Sequence, residues 1–316
     1  MDNISDRNIT GIHHITAISA SAQENLDFYS GILGMRLIKK TVNFDDPGVY
    51  HLYFADYKGT PGGVLTFFPY EGVQKGRKGA GMVNTISFSV PSDSLSYWES
   101  RLDRHGIYRK EVQTRLGDER YLYFEDNDGL GLELVFNDND NREGWKGGTV
   151  PEEFTIRGFF GATIWHNGGE ETVSLLTGAM DHKLTISDGK RKRYAAKDEP
   201  GAYLDLVTVN DLDHGAGGSG TVHHIAFRTA DTKNQDIVRE KVSELDLYAT
   251  RVIDRQYFKS VYFREPGGVL FEIATDGPGF TVDEDLDSLG TSLMLPPQYE
   301  DRRSEIEQLL PGISIS

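Results

Sequence analysis

The sequence predicts an α+β fold of four repeated βαβββ modules. Three observations carry this. Four short β-prone runs open alike, at residues 11–18 (GIHHITAI), 83–90 (VNTISFSV), 158–165 (GFFGATIW) and 222–229 (VHHIAFRT). Each is followed by a polar stretch with helical spacing and then by three further strand-like runs. Glycine reaches 35 of 316 residues, above the ordinary level of about 7%. Without a collagen or low-complexity period, that excess marks tight turns between many short strands.

The elements follow in order. In residues 23–33 the apolar positions Leu26, Phe28, Tyr29, Ile32 and Leu33 recur at three and four residues, the pattern of an amphipathic helix. Its counterparts are residues 92–105, 170–180 and 231–245. Ser19, Ser21, Ser92 and Thr229 or Asp231 can cap these helices, and Gly31, Gly34 and Gly106 can end them. Strands are expected around 110–113, 121–125 and 130–136 in the second module, and around 250–254, 258–264 and 269–274 in the fourth. Three strands per helix, joined by short Gly or Asp turns, favour small antiparallel sheets over a parallel βαβ fold.

Modules at 8–70 and 82–137 make an N-terminal half (1–140), and modules at 156–208 and 221–275 a C-terminal half (151–280). The polar run NDNDNREGWKGGTV divides them. The tail, 281–316, is acidic and then runs through Pro296 and Pro297 into a final helix at 300–310, which docks to cap the domain or forms a lid over the site. The acidic runs DNDN and VDEDLD read as solvated surface.

Composition removes whole classes of function. With no cysteine, there is no disulfide scaffold, thiolate nucleophile, zinc finger or iron–sulfur cluster. A net charge of −16 argues against nucleic acid and anionic membrane as partners. No apolar run approaches the roughly 18 residues of a membrane span, and the start MDNISDRNIT has no signal-peptide pattern. The expectation is a cytoplasmic protein, with a homodimer as the default assembly.

Superposing the modules isolates the chemistry. His14 and His224 share one position of the opening strand, where the other modules have Thr85 and Gly161. Glu272 in VLFEIAT matches Glu133 in LGLELVF, each 48 residues after its opening-strand position. The matching residues are Phe67 in the first module and a position near Leu206 in the third. Two imidazoles and one carboxylate make a metal set, and open positions on the ion suit non-haem Fe(II) or Mn(II). A glutamate inside an apolar strand is costly unless it is paired or metal-bound. Strand alternation turns His13 and His223 to the other face, for packing or support, with proton transfer as the alternative. His51, His105, His166, His182 and His214 show no pairing and read as surface or turn positions. Glu133 has no histidine partner and reads as structural or vestigial.

These modules, with His in the opening strand and Glu in the closing one, resemble the vicinal oxygen chelate superfamily. That superfamily groups glyoxalase I, bleomycin-resistance proteins and type I extradiol dioxygenases. The chain most resembles its ring-cleaving branch, linked to hydroquinone and catechol detoxification. The matching runs are GIHHITAIS, NLDFYSGILGMRLIKKTVNFDDP, YHLYFADYKGTPGGVLTFFPY, VHHIAF, RVIDRQYFKSVYFREPGGVLFEIATDGPGF and LPPQYEDRR. The segment Val261 to Glu272 meets the extradiol pattern of an apolar residue, Tyr, an acidic residue, Pro, Gly and Glu. The histidine that the pattern wants six to eight residues before Val261 is missing, and Ile253, Asp254 and Arg255 stand there instead.

The resemblance implies two cup-shaped half-barrels, with two modules closing around a metal. It implies iron ligation by His14, His224 and Glu272, which needs module 1 beside module 4, with modules 2 and 3 pairing. The implied partners are a small aromatic substrate and O2, and the implied activity is ring cleavage incorporating both oxygen atoms. Fe(II) is the expected cofactor, with Mn(II) or Zn(II) as alternatives. Tyr262 is placed to hydrogen-bond substrate or oxygen, Tyr257 is a second candidate, and Arg255 can stand in for the missing histidine by stabilising negative charge. Two other readings remain: a glyoxalase-like isomerase, lyase or thiol-transferring resistance enzyme, and a protein that sequesters an aromatic ligand. The first usually uses four protein ligands, and Phe67 at the fourth position favours oxygen chemistry instead.

Overall fold

The computed structural model describes residues 7–315; residues 1–6 of the N-terminal half and Ser316 of the tail lie outside them. Module 1 consists of β1 (Gly11–Ser19), α1 (Ala22–Leu26) running on as a π-helical turn (Asp27–Ile32), β2 (Arg36–Asn43), β3 (Asp46–Ala55) and β4 (Val64–Pro69). Module 2 has β5 (Met82–Val90), α2 (Leu95–Arg104), β6 (Gln113–Arg115), β7 (Glu119–Glu125) and β8 (Gly131–Phe136). Module 3 has β9 (Phe159–His166), α3 (Glu170–Gly178), β10 (Lys183–Asp188), β11 (Arg191–Ala195) and β12 (Tyr203–Thr208). Module 4 has β13 (Thr221–Thr229), α4 (Thr232–Glu244), β14 (Ile253–Asp254), β15 (Phe258–Arg264) and β16 (Leu270–Pro278). Of the cap candidates, Ser21 accepts from the Glu24 N–H and Asp231 from the Asn234 N–H. Ser92 instead starts a 3-10 turn without a side-chain cap.

The strands form two curled eight-stranded half-barrel sheets. Their orders are β14-β15-β16-β13-β1-β4-β3-β2 and β10-β11-β12-β9-β5-β8-β7-β6. The modules are not purely antiparallel. Each opening strand pairs in parallel with its own closing strand, β1 with β4, β5 with β8, β9 with β12 and β13 with β16. The helix returns the chain to the end where it started, so the next strand runs with the opening one. Two hairpins later the direction is the same again. The free edges of the opening strands meet antiparallel, β1 on β13 and β5 on β9. The first sheet therefore joins modules 1 and 4, and the second joins modules 2 and 3.

One continuous apolar core runs through both sheets and their helices, with Phe67, Phe88, Trp98, Phe159 and Phe227 at its centre. A smaller cluster, including Ile38, Tyr53, Tyr257 and Phe280, lies under the tail. The tail ends in a 3-10 turn (Pro297–Arg302) and α5 (Arg303–Leu309). The acidic runs are not simply solvated. Asp283 and Glu284 hold the fully buried Lys39 ammonium, and Asp140 pairs with Arg142 at 2.6 Å. A buried cation needs such partners, and the tail supplies them. Among the described residues no helix is long and apolar enough to cross a membrane.

Candidate metal centre

The seam between β1 and β13 builds the site. His14 faces Ala226 and Thr16 faces His224, so the two modules meet about a pseudo-twofold centre and both imidazoles project to one side. Glu272 on β16 pairs in parallel with Ala226 and lies across from Tyr262 on β15. The turn before it, with Gly268 at φ +105, suits glycine. His14 Nε2, His224 Nε2 and Glu272 Oε2 converge: the nitrogens are 3.2 Å apart and lie 3.4 and 3.0 Å from the oxygen. All three side chains are buried, and the cluster could hold a metal ion.

The donor set fits a cation. Glu272 Oε2 is buried with no well-aligned hydrogen bond, although two imidazole nitrogens lie beside it. Its other oxygen accepts from Ser260 Oγ at 2.5 Å. Burial raises the Glu272 carboxyl, but His14 and His224 outweigh it and hold the group well below the usual carboxylate range. Burial, ahead of the opposing Glu272 carboxylate, lowers His224 and favours the neutral imidazole a metal requires.

His13 and His223 do not follow simple alternation. The register skips each of them, so both are β-bulge residues. A bulge breaks the alternation of faces, and each imidazole meets its neighbour: His13 Nδ1 lies 3.0 Å from His14 Nδ1, and His223 Nδ1 2.8 Å from His224 Nδ1. Burial, and then His14, push His13 well below its ordinary pKa. A neutral His13 accepts the Nδ1–H of His14, which fixes that ring with Nε2 free.

A cavity of about 420 Å³ opens over the cluster. His51, Tyr53, Phe258 and Tyr262 wall it, and Phe44, Asp45 and Arg255 stand at its mouth. Arg255 donates to Asp45 at 3.0 and 3.3 Å and from Nε to the Tyr262 hydroxyl at 3.3 Å. Burial raises the Tyr262 phenol above its usual value, with Glu272 pushing the same way, so it keeps its proton. Tyr257 belongs elsewhere. It lies in the cluster under the tail, where its hydroxyl donates to Asp283 at 2.9 Å, and it does not line this cavity.

One register reading needs correction, and one is made specific. The module-1 counterpart of Glu272 is Thr66, not Phe67, because Thr66 pairs with Thr16 and lies across from Tyr53. Phe67 faces the opposite way, into the core. In module 3 the counterpart, expected near Leu206, is its neighbour Asp205, paired with Thr163. His51, expected at a surface or turn, is buried in the cavity wall, and His166 and His182 are buried as well. The signal for His51 was its alternation with Tyr53 along β3, two residues apart on one face.

The equivalent place in the second sheet carries no imidazole. Instead, Arg115 bridges Glu119 and Glu133 at 2.6 and 2.8 Å, Arg193 bridges Glu119 and Asp205 at 2.5 and 2.7 Å, and Arg191 meets Asp205 at 2.7 Å. Three guanidinium groups thus balance three carboxylates where the first sheet gathers its two histidines and Glu272.

The chain belongs to the Glyoxalase/Bleomycin resistance protein/Dioxygenase superfamily, whose family model matches residues 11–134 and 163–273. It is 44% identical over 302 residues to MhqO of Bacillus subtilis, provisionally named a ring-cleaving dioxygenase, covering 95% of this chain and 96% of that protein. It is 38% identical over 308 residues to chlorohydroquinone/hydroquinone 1,2-dioxygenase of Sphingobium indicum, covering 94% and 95%. A crystal structure of a provisionally named dioxygenase from Bacillus subtilis superposes with a TM-score of 0.94 at 42% identity, over 98% of this chain and 99% of that one. Glyoxalase I from Zea mays, at 16% identity, shares the fold with a TM-score of 0.63 over 84% and 92%.

Proposed function

We propose that the protein is an Fe(II)-dependent, extradiol-type dioxygenase that opens the ring of hydroquinone- or catechol-like aromatics with O2. The observation that carries this reading is the convergence of His14, His224 and Glu272 at the floor of an aromatic-walled cavity. The ring-cleaving relatives, similar over nearly the whole chain, support it.

His14, His224 and Glu272 would hold the ion. When bound, it supplies a Lewis acid that lowers the pKa of a coordinated ring hydroxyl and a redox centre at which ring and O2 are held together. The chain's own groups do the rest. Ser260 fixes the Glu272 carboxylate. His13 and His223 fix the ligand imidazoles through Nδ1. Phe258, Tyr53 and Phe68 offer apolar faces to a ring and displace water from it. The protonated Tyr262 hydroxyl is a donor for a substrate oxygen, and Arg255, held by Asp45, adds a fixed positive charge beside it.

The test is oxygen uptake by protein purified anaerobically and loaded with ferrous iron, given hydroquinones and catechols in turn. Uptake with ring-opened product is expected. No uptake by iron-loaded protein, alongside isomerase activity or simple ligand binding, would overturn the reading in favour of a glyoxalase-like or sequestering protein. Metal analysis of the protein as purified decides between iron, manganese and zinc. His224→Ala is expected to lose both metal and turnover; unchanged metal content would remove His224 from the ligand set.

A further inference from the structure

The two modules at the site are related by a pseudo-twofold, and their symmetry is broken along one row of three positions, where Thr16 stands against Ala226. Glu272 has Thr66 as its counterpart, and Ser260, the partner of Glu272, has His51. Thr66 Oγ1 lies 2.8 Å from His51 Nε2 and 2.7 Å from Thr16 Oγ1, and Thr16 Oγ1 is 2.9 Å from His224 Nε2. His51 Nδ1 is 2.9 Å from the Tyr53 hydroxyl.

The direction of this ladder is fixed by its far end. Among the described residues the buried Tyr53 hydroxyl meets one acceptor, His51 Nδ1, so it donates there. Burial pushes His51 well below its ordinary pKa, with His14, His224 and Arg255 acting the same way, so the ring is neutral and carries its one proton on Nε2. Nε2–H then donates to Thr66, Thr66 to Thr16, and Thr16 to His224 Nε2, whose lone pair a bound ion would take up, leaving the Thr16 hydroxyl as a donor beside that ion. His51 and Tyr53 fill the wall behind Thr66, and every O–H in the row points inward.

We propose that Thr66, anchored by His51, keeps the metal centre free of a fourth protein ligand and sets a hydroxyl donor row that favours anionic oxygen ligands of the phenolate class. Thr66 and His51 are positioning residues, acting through Thr16. The inference rests on the three-ligand metal reading, and its test separates the two. Wild type and the variants Thr66→Val, Thr66→Ser and Thr66→Glu are loaded anaerobically with ferrous iron. Metal content is measured, 4-nitrocatechol binding is titrated by its visible absorption, and zinc affinity is measured by chelator competition.

Thr66→Val keeps the shape and loses the hydroxyl. It is expected to retain one iron per chain and bind 4-nitrocatechol about tenfold more weakly, the scale of a hydrogen bond to a charged group. Thr66→Ser is expected to restore binding. Thr66→Glu supplies the missing carboxylate, and is expected to bind zinc at least about tenfold more tightly and to lose the 4-nitrocatechol spectrum, with two histidines and two carboxylates closing the site. Wild-type affinities for both probes in Thr66→Glu, or unchanged 4-nitrocatechol affinity in Thr66→Val, would overturn the proposal. Wild type that takes up no iron would instead overturn the metal reading itself.

Discussion

Replacing Arg115 by Met tests whether the second sheet is held by a balanced set of charges. The three guanidinium groups of Arg115, Arg191 and Arg193 face the three carboxylates of Glu119, Glu133 and Asp205, with side chains between 4% and 20% exposed. Removing Arg115 leaves Glu133 buried, among the described residues, with the Ser87 hydroxyl at 2.6 Å as its remaining side-chain partner. Breaking a buried pair on one side costs about 3–5 kcal/mol, because the surviving charge has lost its compensation. At about 2.1 cal/mol/K per residue, 316 residues give an unfolding entropy near 0.7 kcal/mol/K, so Tm should fall by about 5–8 °C. The double variant Arg115→Met, Glu133→Leu restores neutrality at two charges against two and should return to within about 2 kcal/mol of wild type. Thermal unfolding followed by circular dichroism at pH 7 measures both. A loss under about 1 kcal/mol in the single variant, or a double variant costing the sum of the two singles, would refute the reasoning. Iron content per chain should stay constant throughout, since the network is in the other sheet.

Ser260→Ala frees one oxygen of Glu272 and should weaken ferrous binding about 10–100-fold with little change in folding, read by chelator competition. Phe67→Ala should cost about 3–5 kcal/mol of stability without changing metal stoichiometry, because its ring is in the core; loss of metal with an intact fold would put it back at the site. Asp126 is buried and its pKa is raised by burial to about 6 from 3.8, while it accepts from Tyr29 and from the Leu130 N–H. The folded state therefore binds a proton that the unfolded state has released, so this contribution is full below about pH 4 and is lost as pH rises through about 6. The loss is about 3 kcal/mol. Denaturation midpoints at pH 4 and 6.5 should show wild type losing stability relative to Asp126→Asn by this order, and parallel profiles would contradict it.

Much of this was legible in the sequence because repetition gave internal checks. The equal spacing of Thr85 to Glu133 and of His224 to Glu272 fixed the register of modules 2 and 4, and led to Glu272. Module 1 offered no carboxylate to anchor the comparison. Its run VLTFF is apolar on both sides of Thr66, so alternation alone does not tell Thr66 from Phe67 as the residue on the face of His14 and His224. In module 3 the spacing reaches the neighbourhood of Leu206 without singling out Asp205 beside it. The roles of His13 and His223 depend on bulges, which alternation alone does not foretell. His51 looked isolated because its partners, Thr66 and Tyr53, are ordinary strand residues until the third dimension brings them together.

The strand pairing of the first sheet also sets a timetable. His14 is made about 210 residues ahead of His224 and about 258 ahead of Glu272. Modules 2 and 3 are adjacent in the chain and can complete their sheet while module 4 is still in the ribosome. Module 1 must wait with one edge of β1 uncovered until β13 arrives about 200 residues later, which makes this pairing a slow, high-contact-order step. Ring closure over that span adds little equilibrium cost, since loop entropy grows only with the logarithm of length. The delay is therefore kinetic, and His14, His224 and Glu272 can come together only after module 4 has been made.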